Sequence, residues 1–392
     1  MRFEWFIARR YLRGTHRGRT LISTAGVTIG VAVLVVVISV MNGFEREFLG
    51  KLLGAVGHLS LYPSDHSIEG LADYEAWLER FRNLPGIRGI SPVVEQGVMV
   101  IANSRRRSDP KAQFVQVRGI DPRFEGGASD LLDAGLIGDW SELSSAGETK
   151  ASTATELIDP FEIEAKTPGI FLGLELAKEL FRIPPDWHWS ETDVRLKAYV
   201  EGEVIGQKVK LVTPEMNRGP SMEGFVTVEA EVRGLFKTGF FDFDARFALV
   251  SLGTARILKR LPPDTVQYLE AKLEDPAPKN TYAMAVGLIE EASKTYGKRF
   301  NALPWMAYDP VILDAVRIEK VVMSAILNLV VLVAAFGIAS TLVMTVLEKT
   351  REIGTLMALG ARRRSIMRIF VFNGLQVGIF GTLFGDLFGL GI

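Results

Sequence analysis

Glu348-Lys-Thr-Arg-Glu-Ile-Gly-Thr-Leu-Met-Ala-Leu-Gly-Ala361, followed by Arg362-Arg363-Arg364, is a short polar stretch set between two long apolar runs. The first run is Val321 to Leu347, and the second extends from about Ile369 to Ile392. About 20 apolar residues suffice to cross a bilayer as a helix, so each run can span. From Glu348 to Arg368 there are six Lys or Arg against two Glu. Ile353, Leu356 and Met357 form an apolar stripe at helical spacing. Two spanning helices joined by a small, positive, amphipathic helix make a docking device, on which a soluble cytoplasmic protein can push.

Working outward, a third uncharged run lies near the start, from Leu21 to Phe44. Its apolar core is too long for a signal peptide and no A-x-A cleavage site follows it, so it is read as a retained helix. Residues 1–20 place Phe3, Phe6, Ile7 and Tyr11 roughly on one face and Arg9, Arg10 and Arg13 elsewhere. That pattern suits either an interfacial amphipathic helix or a basic flank that only sets topology. Arg9, Arg10, Arg13, Arg17 and Arg19 precede the first run, which puts the N-terminus in the cytoplasm. The loop Lys349 to Arg368 is also basic and lies two crossings later, so both counts agree. Residues 45–320 then lie outside. Gly26-x-x-x-Gly30, Ala335-x-x-x-Ala339, Gly374/Gly378 and Gly381/Gly385/Gly389 each suggest a close-packing helix face. Asp386 sits inside the last run, either as a functional acid or as a group reaching water at the outer end.

The outer region of about 275 residues is large for one domain and compatible with two lobes. Strand patterns recur at 58–62, 97–102, 114–118, 208–212, 225–232 and 247–251, with helical patterns at 74–81, 174–181, 252–261 and 282–296. Strands interleaved with helices argue an α+β or α/β domain. Ser141 to Thr155 has no period and reads as a surface insertion and lobe boundary. Asp309 to Lys320 is expected to run unbroken into the second spanning helix. The fold expected is an α-helical transmembrane bundle with a large α+β extracytoplasmic domain between helices 1 and 2. Its segments are an interfacial helix 1–20, spanning helices 21–44, 321–347 and 369–392, the outer domain 45–320, and a cytoplasmic helix 348–366.

Several chemistries are excluded. With 45 Lys plus Arg against 46 Asp plus Glu, the net charge of −1 gives no support for nucleic-acid binding. No Cys is present, so disulfides, thiol catalysis and Cys-bound zinc are ruled out. The four His are scattered, and no metal site is expected. There is no phosphate-cradling G-x-x-x-x-G-K-[ST] and no nucleophile motif, so the chain is not an enzyme and binds no cofactor of its own. Any ATP and Mg belong to a partner.

The segment 348–361 resembles the coupling helix of the FtsX-like permease superfamily. Val40-Met-Asn-Gly-Phe-Glu-Arg-Glu47, followed by Gly54-Ala-Val-Gly-His58, is similar to the junction after the first helix of lipoprotein-releasing permeases of the LolC/LolE type. Pro168 to Lys178 resembles a further stretch of their outer domain. The resemblance implies an ABC transporter permease in the bacterial inner membrane, its large domain periplasmic. It implies a second permease subunit, a dimer of a separate cytoplasmic ATPase, lipoprotein cargo, membrane lipid and a periplasmic carrier as partners. ATPase coupling falls on Glu348, Arg351, Glu352, Ile353, Gly354, Leu356, Met357, Leu359 and Gly360. Ile38, Met41, Phe44 and Phe48, with Leu327 and Val331 opposite, are candidates to line the acyl-chain cavity, although ordinary helix packing would place such residues there equally. The position of the family's carrier-hooking loop corresponds to Thr213 to Pro220, with Pro214, Met216, Arg218 and Pro220 as candidates, or it is a plain turn. The family has four spanning helices, so the chain is expected to be incomplete after its third. Two alternatives share the coupling helix: an FtsX-like transmission permease regulating a periplasmic cell-wall hydrolase, and a MacB-like exporter permease.

Overall fold

Each apolar run is helical, and each helix starts before its run. The computed structural model describes residues 17–63, 70–102, 110–144, 167–184, 186–187, 189, 194–216, 222–296, 300–307 and 310–391. The first long helix is Arg17–Ala55, the second Pro310–Glu348 and the third Arg363–Gly391. Within the described residues they contain three stretches long and apolar enough to cross a membrane: Thr24–Ala55, Leu313–Glu348 and Arg363–Gly391. The first helix does not stop at Phe44, because Glu45, Arg46, Glu47, Leu49, Lys51 and Leu52 are good helix formers. The second does run unbroken from residue 310. The chain divides into two compact units, residues 48–310 and residues 1–47 with 311–392.

In the membrane unit the third helix buries Ile366, Ile369, Asn373, Val377, Gly381, Gly385 and Gly389, a stripe repeating every three or four residues. A Cβ on Gly381 would lie 2.6 Å from Val27, on Gly385 2.6 Å from Val31, and on Gly389 2.8 Å from Val35. The backbones of the first and third helices therefore meet through a glycine groove that accepts a valine ridge, as read from the spacing. Gly374 meets Leu342 of the second helix, whereas Gly378 has nothing within 4 Å. The other two small-residue pairs are not close contacts within this chain. Gly26 has open space, Gly30 only touches Val330 at 3.9 Å, and Ala335 and Ala339 are exposed. Leu327, Val330, Ala334, Ile338 and Leu342 occupy the half-buried face of the second helix instead.

The soluble unit, large enough to be compatible with two lobes, is built on one ten-stranded sheet among the described residues. Its strands are β1 (Leu59–Pro63), β3 (Ile87–Ala102), β4 (Lys111–Ile120), β5 (Gly135–Ile137), β6 (Gly169–Gly173), β7 (Lys208–Met216), β8 (Met222–Phe236), β9 (Phe247–Ser251), β11 (Tyr268–Leu273) and β12 (Phe300–Pro304); a separate pair joins β2 (Leu71–Ala72) to β10 (Thr265–Val266). The order is β12-β1-β11-β3-β4-β9-β6-β8-β5, with β7 pairing both β3 and β8. Most pairs are antiparallel; β4–β9 and β6–β8 are parallel. This is an α+β domain, and strands from both sides of residues 141–155 share its sheet. Ser141–Ser144 is a helical turn, and the rest of that insertion lies outside the described residues.

Alternation along the strands separates two cores. Val115, Val117, Ile170, Leu172, Ala248 and Val250 face a large cluster completed by helices Tyr74–Arg82, Leu174–Phe181, Leu252–Lys259 and Pro278–Tyr296. Ile120, Phe171 and Leu249 point the other way, into a smaller cluster with Leu131, Leu143, Phe236 and Phe243. Ala55, the last residue of the first helix, is buried in that second cluster.

Candidate functional site

The docking segment folds as a helix over Thr350–Ala358, shorter than the expected 348–366. Gly360 ends it with φ +97°. The Gly360 N–H bonds the Met357 carbonyl at 3.0 Å and the Ala361 N–H reaches back to Leu356 at 2.9 Å, a Schellman cap. Arg363 to Arg368 accordingly belong to the third long helix. At the other end the Thr350 hydroxyl donates to the carbonyls of Leu347 at 2.7 Å and Val346 at 3.2 Å, closing the second long helix at Glu348. Lys349 Nζ lies 2.5 Å from Glu352 Oε1. Nothing in this helix is buried. Ile353 and Leu356 are half-buried, while Arg351, Gly354 and Gly360 are exposed, with Met357 at 42% and Leu359 at 80%. A Cβ on Gly354 or Gly360 would meet nothing within 4 Å. Among the described residues this capped, apolar-edged and positively flanked helix has nothing laid over Gly354 or Gly360.

The proposed acyl-contact residues separate into groups. Ile38, Phe44 and Val331 are exposed, and Met41 is half-buried. Leu327 lies on the half-buried face of the second helix, so only Val331 of that pair faces outward. Phe48 is set apart from the others: it belongs to the soluble unit, where its ring meets Phe240 edge-on with centroids 5.8 Å apart.

The candidate carrier loop is the end of a long hairpin. β7 and β8 pair from Lys208↔Glu231 to Met216↔Met222, with Pro214 opposite Phe225. Arg218 and Pro220 lie outside the described residues. Pro214 and Phe225 share a face with Val212, and across β3 and β4 with Met99 and Phe114. Phe225 is 70% exposed and Phe114 62%. This is the same sheet face that carries the second cluster. One end of that face is covered; the hairpin end shows an apolar patch to solvent.

Between the two ends lies a charged centre that sequence reading missed. Alternation in β4 places Arg118 opposite Val117, on an outward-looking position, yet it is wholly buried. It pairs with Glu270 of β11, lies 3.3 Å from Glu95 of β3, and lies 3.8 Å from Glu125 of helix Pro122–Ala128. Ser91 and Ser129 donate to the two Glu125 oxygens at 2.6 and 2.5 Å. Burial works against the Arg118 charge, and Glu270 foremost among the acids overcomes it, so the guanidinium is held firmly protonated. Burial raises the Glu125 pKa against the pull of Arg118, with Glu270 adding to the rise. Next along β11, Lys272 pairs with Asp130. The buried His58 accepts the Leu273 N–H on Nδ1 at 2.9 Å; burial, then Lys272, lowers its pKa to about 4. The clue available in sequence was Gly54-Ala-Val-Gly-His58, whose glycines touch this centre.

Comparison with known proteins places these features. Residues 20–287 match the MacB-like periplasmic core domain, and residues 324–392 match the FtsX-like permease C-terminal domain. The chain is 32% identical to the lipoprotein-releasing system transmembrane protein LolC of Neisseria meningitidis, over 99% of this chain and 81% of that protein. It is 27% identical to LolE of Haemophilus influenzae, over 100% and 82%. A solved structure of the periplasmic region of MacB from Actinobacillus actinomycetemcomitans aligns with 68% of this chain and 97% of that one, at TM-score 0.36 and 10% identity. Similarity to LolC running the length of the chain, together with the match to the periplasmic core and permease domains, means that this chain belongs to the LolC/LolE family of inner-membrane permeases.

Proposed function

We propose that the chain is the permease subunit of an ABC transporter that extracts lipoproteins from the outer leaflet of the inner membrane and passes them to a periplasmic carrier. The observation that carries this reading is the end-to-end relation to LolC, joined to the exposed helix Thr350–Ala358. Moving an acylated anchor into water costs about 0.8 kcal/mol per exposed methylene, so extraction needs an external energy source. In this reading a separate ATPase supplies that energy and grips Gly354, Met357 and Leu359 on the cytoplasmic side. A second permease subunit completes the transporter. Ile38, Met41, Phe44 and Val331 are the residues offered to acyl chains. The Pro214–Phe225 end of the β7–β8 hairpin, with Met99 and Phe114, is the surface offered to the carrier.

The test is co-purification from native membranes with mass spectrometry of everything bound. An ATPase together with acylated lipoprotein is the expected result. An ATPase with a cell-wall hydrolase and no acylated cargo would replace this reading with a transmission permease. Absence of any ATPase would overturn the role given to Thr350–Ala358.

A further inference from the structure

The first long helix ends inside the soluble unit, and what holds its end is unusual for a helix terminus. Hydrophobic burial accounts for one side: Ala55 is 2% exposed in the second cluster and Phe48 leans on Phe240. Such contacts are non-directional and fix neither rotation nor register. The opposite side is made of charged groups. The Asp130 N–H donates to the Gly54 carbonyl at 2.9 Å, and the Asp130 carboxylate pairs with Lys272. A Cβ on Gly54 would lie 3.2 Å from Asp130 Oδ2. A Cβ on Gly57 would overlap Cγ of Glu270 and lie 3.1 Å from the Ala271 carbonyl. Glu270 holds Arg118, which also faces Glu125 and Glu95. His58 then enters the sheet with its N–H on Ala271 at 2.8 Å.

A ledger of stability alone does not explain this choice. Burying an ion pair such as Glu270–Arg118 costs several kcal/mol per charge, and apolar residues of equal volume often do as well or better, while Asp130 of the other pair stays half-exposed. What ion pairs and N–H···O bonds add is direction. They specify one rotation and one depth of the helix end against β11, β3 and β4, and Gly54 in the last turn and Gly57 just beyond it leave room for the acids to approach.

We propose that the Asp130–Lys272 and Glu270–Arg118 pairs are positioning groups for transport. They lock the end of the first helix to the central strands, so that the displacement produced by ATP hydrolysis in the membrane helices reaches the sheet instead of being lost as rotation of the helix in its socket. This rests on the reading of the chain as an ATPase-driven permease.

The test uses the complete transporter with its ATPase in proteoliposomes, comparing wild type with Asp130→Asn/Lys272→Met. ATP hydrolysis and melting temperature are expected to hold, while lipoprotein released per ATP falls about tenfold. In the same samples, hydrogen exchange at the Val56 and His58 amides should become about tenfold faster. Unchanged release per ATP, or unchanged exchange at those amides, overturns the proposal. If the double variant melts early, the reversed pair Asp130→Lys/Lys272→Asp decides: recovered release with recovered stability supports it, and recovered stability without recovered release overturns it. A wild-type transporter that hydrolyses ATP but releases no lipoprotein would sink the function proposed above, and the exchange measurement would still judge the lock.

Discussion

The first long helix is gripped in two places, by opposite physics. In the membrane unit its valines, Val27, Val31 and Val35, fill a groove formed by glycines of the third helix. In the soluble unit the glycines are Gly54 in its last turn and Gly57 just past its end, and acids of the surrounding structure close onto them. Inside a bilayer there is no hydrophobic gain in bringing two apolar helices together. Close backbone approach and dispersion must do the work, and a missing side chain provides both. In the soluble unit apolar burial is available, but it gives no direction, and buried charge supplies it. The same residue type serves a close-packed seam in one place and an electrostatic socket in the other.

Substitutions separate the two grips. Gly385→Leu has the largest expected effect. Its Cβ would sit 2.6 Å from Val31 and 2.8 Å from the Thr28 carbonyl, which is backbone and cannot yield. The protein should fail to accumulate in membranes, whereas Gly378→Leu, with nothing within 4 Å, should accumulate normally. Normal levels of both would mean that the seam contributes little.

Gly57→Ala comes next, because Glu270 must move and loosen Arg118. Overpacking of this kind costs about 1–3 kcal/mol. Denaturation in detergent should show the loss, and Gly43→Ala, in open space, should show none.

A smaller effect follows from proton binding in the socket. His58 is a base whose pKa falls from 6.5 to about 4 on folding. Its contribution to stability is complete above pH 6.5 and is lost as pH falls through about 4. Glu125 has the opposite sign: its pKa is raised, so its contribution is present below the ordinary carboxylate value and is lost as pH rises through the folded one. Melting temperature against pH should therefore lose its acid-side fall in His58→Gln and its alkaline-side fall in Glu125→Gln. A profile unaltered by both substitutions would place the titrating groups elsewhere.

Gly354→Trp should leave stability unchanged, since the site is open within this chain. The variant should nevertheless lose ATPase recruitment, measured by co-purification. Intact recruitment would remove Gly354 from the docking surface.

Much of this was legible before any coordinates. The uncharged runs predict the three helices, because length and apolarity alone decide whether a segment can cross a bilayer. The glycine spacing at 381, 385 and 389 predicts the seam. The same reasoning failed for Gly26/Gly30 and Ala335/Ala339. Small residues permit a close contact without requiring one, and the half-buried face of the second helix went to Leu327, Val330 and Leu342. Strand patterns found β7 and β8 because their alternation is exposed on one face. They missed β11, which is buried throughout and so carries no alternation.

Sequence by itself therefore determined the apolar helices, the short polar helix between the second and third of them, and the α+β character of the outer domain, all of which depend on local periodicity. Only the tertiary structure decided that Arg118, Glu125, Glu270 and Gly57, spread over more than two hundred residues, meet at one point. An arginine on a strand reads as solvent-facing until a helix end and a second layer cover it, and no local pattern records which distant segment will provide the cover.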